Sequence, residues 1–219
     1  MTGSSSGIGA AIAQRLANEG WRVIGLDISS EEAAPFIASR IVVDLSNQAQ
    51  LRDVAGHLGP VQALIHAAGF MRTGNLGELD LADGDAMWAV HVRALIMLAN
   101  VLCPRMLSGG RVLAIGSRVS AGAAGRSQYA ACKAAITALI RSWAIELAPR
   151  GITANVIAPA ATATRLLSSA DRSDIAPVLP PLGRFIEPQE VAAYAAFVLS
   201  PDAAAITGQH LLVCGGTSL

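Results

Sequence analysis

Apolar residues fall along the chain in two alternating rhythms. Short, nearly continuous apolar runs occupy Trp21 to Leu26, Arg40 to Val43, Val61 to His66, Arg111 to Ile115, Ile152 to Ile157 and His210 to Val213. Runs of this kind read as strands buried on both faces of a sheet. Between them, Ile8 to Asn18, Gln48 to Gly56, Leu81 to Leu107, Ser127 to Leu147 and Pro188 to Leu199 repeat their apolar positions at helical spacing, with Pro188 placed to open the last helix. Strand and helix in regular alternation predict an α/β fold built on a doubly wound parallel sheet. No internal repeat or linker interrupts the pattern, so residues 1–219 read as one domain. The stretch from Thr162 to Phe185, rich in Ser, Ala and Pro, lacks either period and is read as a mobile flap over a site.

Composition narrows the function. Hydrophobic residues make up 53% of the chain and charged residues 15%, far from the disordered regime. The formal net charge is zero, with no basic block or acidic tail, which argues against nucleic-acid and anionic-membrane partners. No uninterrupted apolar stretch reaches bilayer length, and no leader with a cleavage site is recognisable. Cys103, Cys132 and Cys214 are odd in number and lack metal-ligand spacing, which suggests a reducing compartment and a cytoplasmic protein.

Lys133 is the only lysine among 16 cationic residues, and it follows Tyr129 by one helical turn. On a helix the two share a face, with Cβ atoms roughly 5–6 Å apart. A phenol titrates near a pKa of about 10, and a fixed positive charge beside it favours the phenolate. Lysine supplies a compact charge with three donors, where arginine would present a broad fork. The pair is also compatible with a tyrosine capping a surface beside a solvated lysine.

A second motif opens the chain: Thr2-Gly3-Ser4-Ser5-Ser6-Gly7-Ile8-Gly9. Glycines let a backbone turn tightly and approach a pyrophosphate, whose charge meets free amides at a helix start. Such a loop also occurs as a plain strand-to-helix turn. Asp27 closes the next strand, where a carboxylate accepts from both adenosine ribose hydroxyls and repels a 2′-phosphate. Neither Ser6 nor Ile28 supplies a cation for that phosphate, so NAD (NADH) is expected over its phosphorylated counterpart; alternatively Asp27 only caps the following turn.

Together these residues resemble the short-chain dehydrogenase/reductase family, over nearly the whole chain. The motifs are the Thr2 to Gly9 loop, Asp44-Leu45, Ala67-Ala68-Gly69, Ser117 after the predicted strand Arg111 to Ile115, Tyr129 with Lys133, Pro159 to Thr164, and Pro181 to Phe185. The resemblance implies a Rossmann-like fold and hydride transfer between NAD(H) and a secondary alcohol or ketone. It gives Tyr129 the role of general acid/base, Lys133 that of lowering the phenol pKa and holding the nicotinamide ribose, and Ser117 that of binding the substrate oxygen. It places Gly3, Ser6, Ile8 and Gly9 at the cofactor phosphates, Asp27 at the ribose and Asp44 and Leu45 at the adenine. Ala67, Gly69, Thr162 and Thr164 fall along the rest of the cofactor.

The chain departs from the family pattern in places. Only Met1 precedes the Thr-Gly motif where relatives carry an apolar strand. Its loss predicts exposed strand edges and a gap in the core, at several kcal/mol if about four apolar side chains are missing; a late start codon or an incomplete sequence would account for it. His91 stands where the family usually places a relay asparagine, and reads either as a proton relay or as a buried structural histidine bonded to backbone carbonyls. Ser120 rivals Ser117 for the serine role.

The helix from Ser127 is apolar on nearly every face, which predicts a homotetramer or homodimer unless that helix is buried within one subunit. Leu166, Leu167, Ile175, Val178 and Leu179 suggest a modest, mostly apolar substrate, with Arg72 and Arg165 available for a carboxylate or simply solvated. The run Ala68 to Gly74 is similar to 2,3-dihydro-2,3-dihydroxybenzoate dehydrogenases, and the wider pattern to 3-oxoacyl-carrier-protein reductases. A reading from another class is a silent NAD(H)-binding sensor or scaffold.

Overall fold

The computed structural model describes residues 1–165, 167 and 177–219 of the chain. Of the expected flap, Leu166 and Ile175 lie outside the described residues.

Among the described residues, six parallel strands form the sheet. β1 (Ile24–Asp27) pairs with β2 (Ser39–Val42), and β3 (Ala63–His66), β4 (Arg111–Ile115), β5 (Thr153–Pro159) and β6 (His210–Val213) follow side by side. Thr2 joins the two sets, bridging Leu26 on one side and His66 on the other. Its amide donates to Ile65 O at 2.9 Å, and Gly3 N donates to Leu26 O at 3.1 Å.

Below Thr2 the facing edges of β1 and β3 border a groove of about 560 Å³, lined by Met1, Trp21, Val23, Ile24, Ala63 and Ile65 among others. A gap beside the Thr-Gly motif is the feature expected from the sequence. Two strands are shorter than their apolar runs predict: Trp21 to Val23 and Val61 to Gln62 lie outside the ladders, which begin at Ile24 opposite Ser39 and at Ala63 opposite Arg111. At the other end β5 extends past Ile157 to Pro159 because β6 pairs with it there.

Helices cover both faces. α1 (Gly7–Asn18) and α6 (Pro188–Leu199) bury Ile12, Leu16, Val191 and Ala195 against Leu113, Ile115 and Ile157. On the opposite face α2 (Gln48–His57), α4 (Ala94–Leu102) and α5 (Ser127–Leu147) pack Leu51, Leu95, Leu98, Ile136 and Ile140 against Val112, Ala114 and Val156. Alternate residues of β4 thus feed opposite cores, as the pleat requires.

The predicted helix Leu81 to Leu107 is in fact interrupted. α3 (Leu81–Trp88) passes through a π-turn, Ala89–Arg93, into α4, and a 3₁₀ turn, Cys103–Arg105, ends the run. Pro104 has no amide for the helical ladder, which stops the α-helix there. Contrary to the sequence reading, the 25 residues Leu81–Arg105 are long and apolar enough by composition to cross a bilayer. Over half of the apolar window is buried inside the protein, and Leu95 and Leu98 are fully enclosed, as in a core helix.

Candidate active site

The site lies at the carboxyl ends of the strands, where the strand order reverses between β1 and β3. After the two bridges at Thr2, the chain turns at Gly3 and enters α1. A cleft of about 530 Å³ opens there, lined by Gly3, Ser6, Ile8, Gly9, Asp27, Asp44, Leu45, Ala67, Gly69 and Thr164. Ten of the residues expected at a dinucleotide therefore share this cleft; the other three, Tyr129, Lys133 and Thr162, line the smaller cavity beyond it, Thr162 buried with its hydroxyl on Ala160 O at 3.0 Å.

The loop is built for close approach. A Cβ on Gly9 would stand 1.9 Å from Gly3 O, so a side chain there would force α1 away from the turn. Asp27 is fixed by two amides, Oδ2 accepting from Ser5 N at 3.0 Å and Oδ1 from Ser29 N at 3.1 Å. A carboxylate has about four acceptor positions, so capacity remains for ribose hydroxyls. Asp44 similarly accepts from Ser46 N and Ser46 Oγ, both at 2.8 Å. These features fit a nicotinamide dinucleotide. One residue bearing on the cofactor escaped the sequence reading: Arg40 Nη1 reaches Ser5 Oγ at 3.3 Å, brought beside the loop by the β1–β2 pairing.

The cleft leads into a smaller cavity of about 160 Å³ through the shared residues Ile8, Ala67, Gly69 and Thr164. Ser117, Tyr129, Lys133 and His91 all line it. Ser117 leaves the end of β4 and caps a 3₁₀ turn, its Oγ accepting from Val119 N at 3.3 Å. Ser120, the rival, instead pairs its hydroxyl with His210 Nε2 at 3.3 Å. Lys133 is 4% exposed, with Nζ donating to Ile115 O at 2.8 Å and standing 5.6 Å from the Tyr129 ring centroid. Burial lowers its pKa from 10.5 to about 8.

His91 sits in the π-turn of the long helix, a distortion that re-aims side chains and recurs at functional sites. Its Nε2 lies 2.7 Å from Phe70 O, and its ring meets Tyr129 edge-on at 5.6 Å. Phe70 N also lies 3.2 Å from Nε2; the closer contact is to the carbonyl, which only accepts, and so favours the tautomer with the proton on Nε2. Nδ1 is buried without a partner among the described residues. His91 is thus bonded to a backbone carbonyl, as its structural reading expected, and lines the inner cavity.

His66 is a second buried histidine. Thr2 Oγ1 accepts from Ala67 N and Ala68 N, both at 3.2 Å, so its own proton is directed to His66 Nδ1 at 3.0 Å. Burial first, then the Lys133 charge, lower the His66 pKa to about 3. His91 is lowered by the same two causes in the same order. Both rings are neutral.

Arg72, one of two arginines considered for a substrate carboxylate, instead lies over the Phe70 ring at 5.2 Å, with Nε 3.6 Å from Asp83. Arg165 lines the dinucleotide cleft. Among the described residues, the cations that line the inner cavity besides Lys133 are Arg118 and Arg126, which sequence reasoning missed.

Residues 3–218 match the family described as Enoyl-(Acyl carrier protein) reductase. The chain is 31% identical to a (2S)-[(R)-hydroxy(phenyl)methyl]succinyl-CoA dehydrogenase subunit of Thauera aromatica, covering 100% of this chain and 95% of that one. It is 32% identical to a 3-oxoacyl-[acyl-carrier-protein] reductase of Vibrio cholerae, over 99% of this chain and 95% of the relative. A blue fluorescent protein from a metagenomic library, solved in complex with NADPH, superposes with a TM-score of 0.87 at 32% identity, covering 100% of this chain and 96% of that one. The chain belongs to the short-chain dehydrogenase/reductase family and is an oxidoreductase of the nicotinamide-cofactor class.

Proposed function

We propose that the protein interconverts a secondary alcohol and a ketone with NAD(H), using Tyr129 as general acid/base. The observation that carries this reading is the meeting of Ser117, Tyr129 and Lys133 on one small cavity that opens from the glycine-walled cleft. When bound, the nicotinamide ring supplies or accepts the hydride. Tyr129 takes the alcohol proton in oxidation and returns it in reduction. The Lys133 ammonium, anchored on Ile115 O, favours the phenolate form. Ser117 donates to the substrate oxygen as charge develops there.

Asp27 supports NAD over NADP, since a carboxylate held at the end of β1 repels a 2′-phosphate. Free cysteines at positions 103, 132 and 214 support a cytoplasmic site of action. Trp88, Ile96 and Ile145 present apolar surface outward from the long helical run and α5, with Ile145 78% exposed. That surface supports a homodimer or homotetramer formed through these helices.

The test is NADH formation from NAD⁺ over a panel of secondary alcohols, dihydrodiols, sugars, hydroxy acids and 3-hydroxyacyl thioesters. Turnover with at least one class supports the reading. NADH binding without turnover of any member would shift it to a cofactor sensor.

A further inference from the structure

The inner cavity carries more positive charge than the proton chemistry uses. Arg118 begins the 3₁₀ turn after β4, and Arg126 is the N-cap of α5. The two stand at either end of one loop, and both line the cavity that holds Ser117 and Tyr129. Among the described residues the cavity lining contains no aspartate or glutamate.

Elsewhere among the described residues, Arg105, Arg111 and Arg150 are held by backbone carbonyls. The Nε atoms of Arg111 and Arg126 are both buried without a hydrogen-bond partner among the described residues, but Arg111 is anchored through Nη1 and Nη2 on Gly109 O, Gly110 O and Ser200 O, whereas no carbonyl among them anchors Arg126. Burial, and secondly the charge of Arg118, lower its pKa, but a guanidinium stays protonated throughout the physiological range. A partly buried cation beside a second cation is favoured further when an anion meets it. The positive end of the α5 dipole, at whose start Arg126 sits, adds to the same field.

We infer that Arg118 and Arg126 bind a carboxylate on the substrate, so that the enzyme acts on a hydroxy acid or its keto acid. This rests on the dehydrogenase reading above. The fork of a guanidinium matches the two oxygens of a carboxylate, and a space of about 160 Å³ holds a small acid together with its reacting carbon. Anchoring that end would fix the carbinol carbon between Ser117 and Tyr129. The apolar part of the substrate would meet Met71, Val119 and Val178.

The experiment compares kcat/KM for 2-, 3- and 4-hydroxy acids with their methyl esters, in the native protein, Arg126→Gln, Arg118→Gln and the charge-keeping Arg126→Lys. A charge-assisted contact predicts an acid-to-ester preference of about tenfold or more. The ratio falls toward one in each Gln variant, mainly through KM of the acid, and is partly kept in Arg126→Lys. In parallel, succinate, succinamide and inorganic phosphate are titrated into the NADH-saturated protein by calorimetry, which reads the anion site without turnover. Succinate binding that weakens in Arg126→Gln supports the inference even if no alcohol is oxidised, an outcome that would count against the dehydrogenase reading alone. Equal kcat/KM for acid and ester, or succinate binding no better than succinamide, would overturn it. Phosphate binding in place of succinate would overturn the carboxylate assignment.

Discussion

The Lys133 ammonium stands 5.6 Å from the Tyr129 ring centroid and is tied to Ile115 O at 2.8 Å. The carbonyl fixes the cation at the end of β4, and the helix fixes the phenol one turn away. Lys133→Met removes the charge and leaves a similar volume, so folding is preserved while kcat/KM falls by a factor on the order of 10² to 10⁴. Lys133→Arg does not restore activity, because a planar fork does not fit the enclosed position. Circular dichroism and steady-state rates on both variants test this; native-like rates in either would contradict the account.

Gly69 is where the cofactor wall meets His91. A Cβ there would lie 2.2 Å from His91 Cε1 and 2.7 Å from Nδ1, so the ring must leave and its bond to Phe70 O must break. Gly69→Ala therefore costs about 1–3 kcal/mol in urea unfolding, the cost of orphaning buried polar groups. An unchanged unfolding midpoint would show that the ring relaxes freely.

The buried histidines make stability depend on pH. Their folded pKa values lie below the ordinary 6.5, His66 at about 3. Between those values the unfolded chain binds more protons than the folded one. The histidines' contribution to stability is full above pH 6.5 and declines as pH falls, with a limiting slope of about 1.4 kcal/mol per pH unit for each ring. Denaturant midpoints between pH 7.5 and 5 should show this decline, and His66→Gln should roughly halve its slope. A flat profile in the native protein would mean that the rings are solvated.

Asp27 sets the cofactor preference in our proposal, and Arg40 stands close by on Ser5. Asp27→Ser is expected to lower kcat/KM for NAD by about tenfold, the value of a charge-assisted hydrogen bond. It should raise use of NADP, because Arg40 then meets the 2′-phosphate unopposed. Rates with the two cofactors at equal concentration report the ratio. No change in that ratio would remove Asp27 from the role.

The alternation of strands and helices was legible because each apolar run is local. β4, α5, α6 and β6 have the limits that their periodicity predicts. The limits of β1 and β3 were not legible, because the paired length of a strand is set together with its neighbours in the sheet, β2 and β4 here, and not by its own apolar residues alone. The π-turn at Ala89–Arg93 left no mark in the spacing, since a single wide turn keeps the helical face nearly unchanged. Within the site, the glycine loop, Tyr129 and Lys133 were readable from residue type and spacing. Arg118, Arg126 and Arg40 were not, because nothing in a sequence of mostly arginine cations marks which ones face inward.

Tyr129→Phe tests the central claim most directly. The hydroxyl alone is removed from a buried ring that keeps its packing against His91 and Lys133. We predict that the variant binds NADH as the native protein does and loses turnover by a factor on the order of 10² or more with whichever alcohol the native enzyme oxidises. Turnover that survives the substitution within a few fold would contradict the account and send the proton to another group.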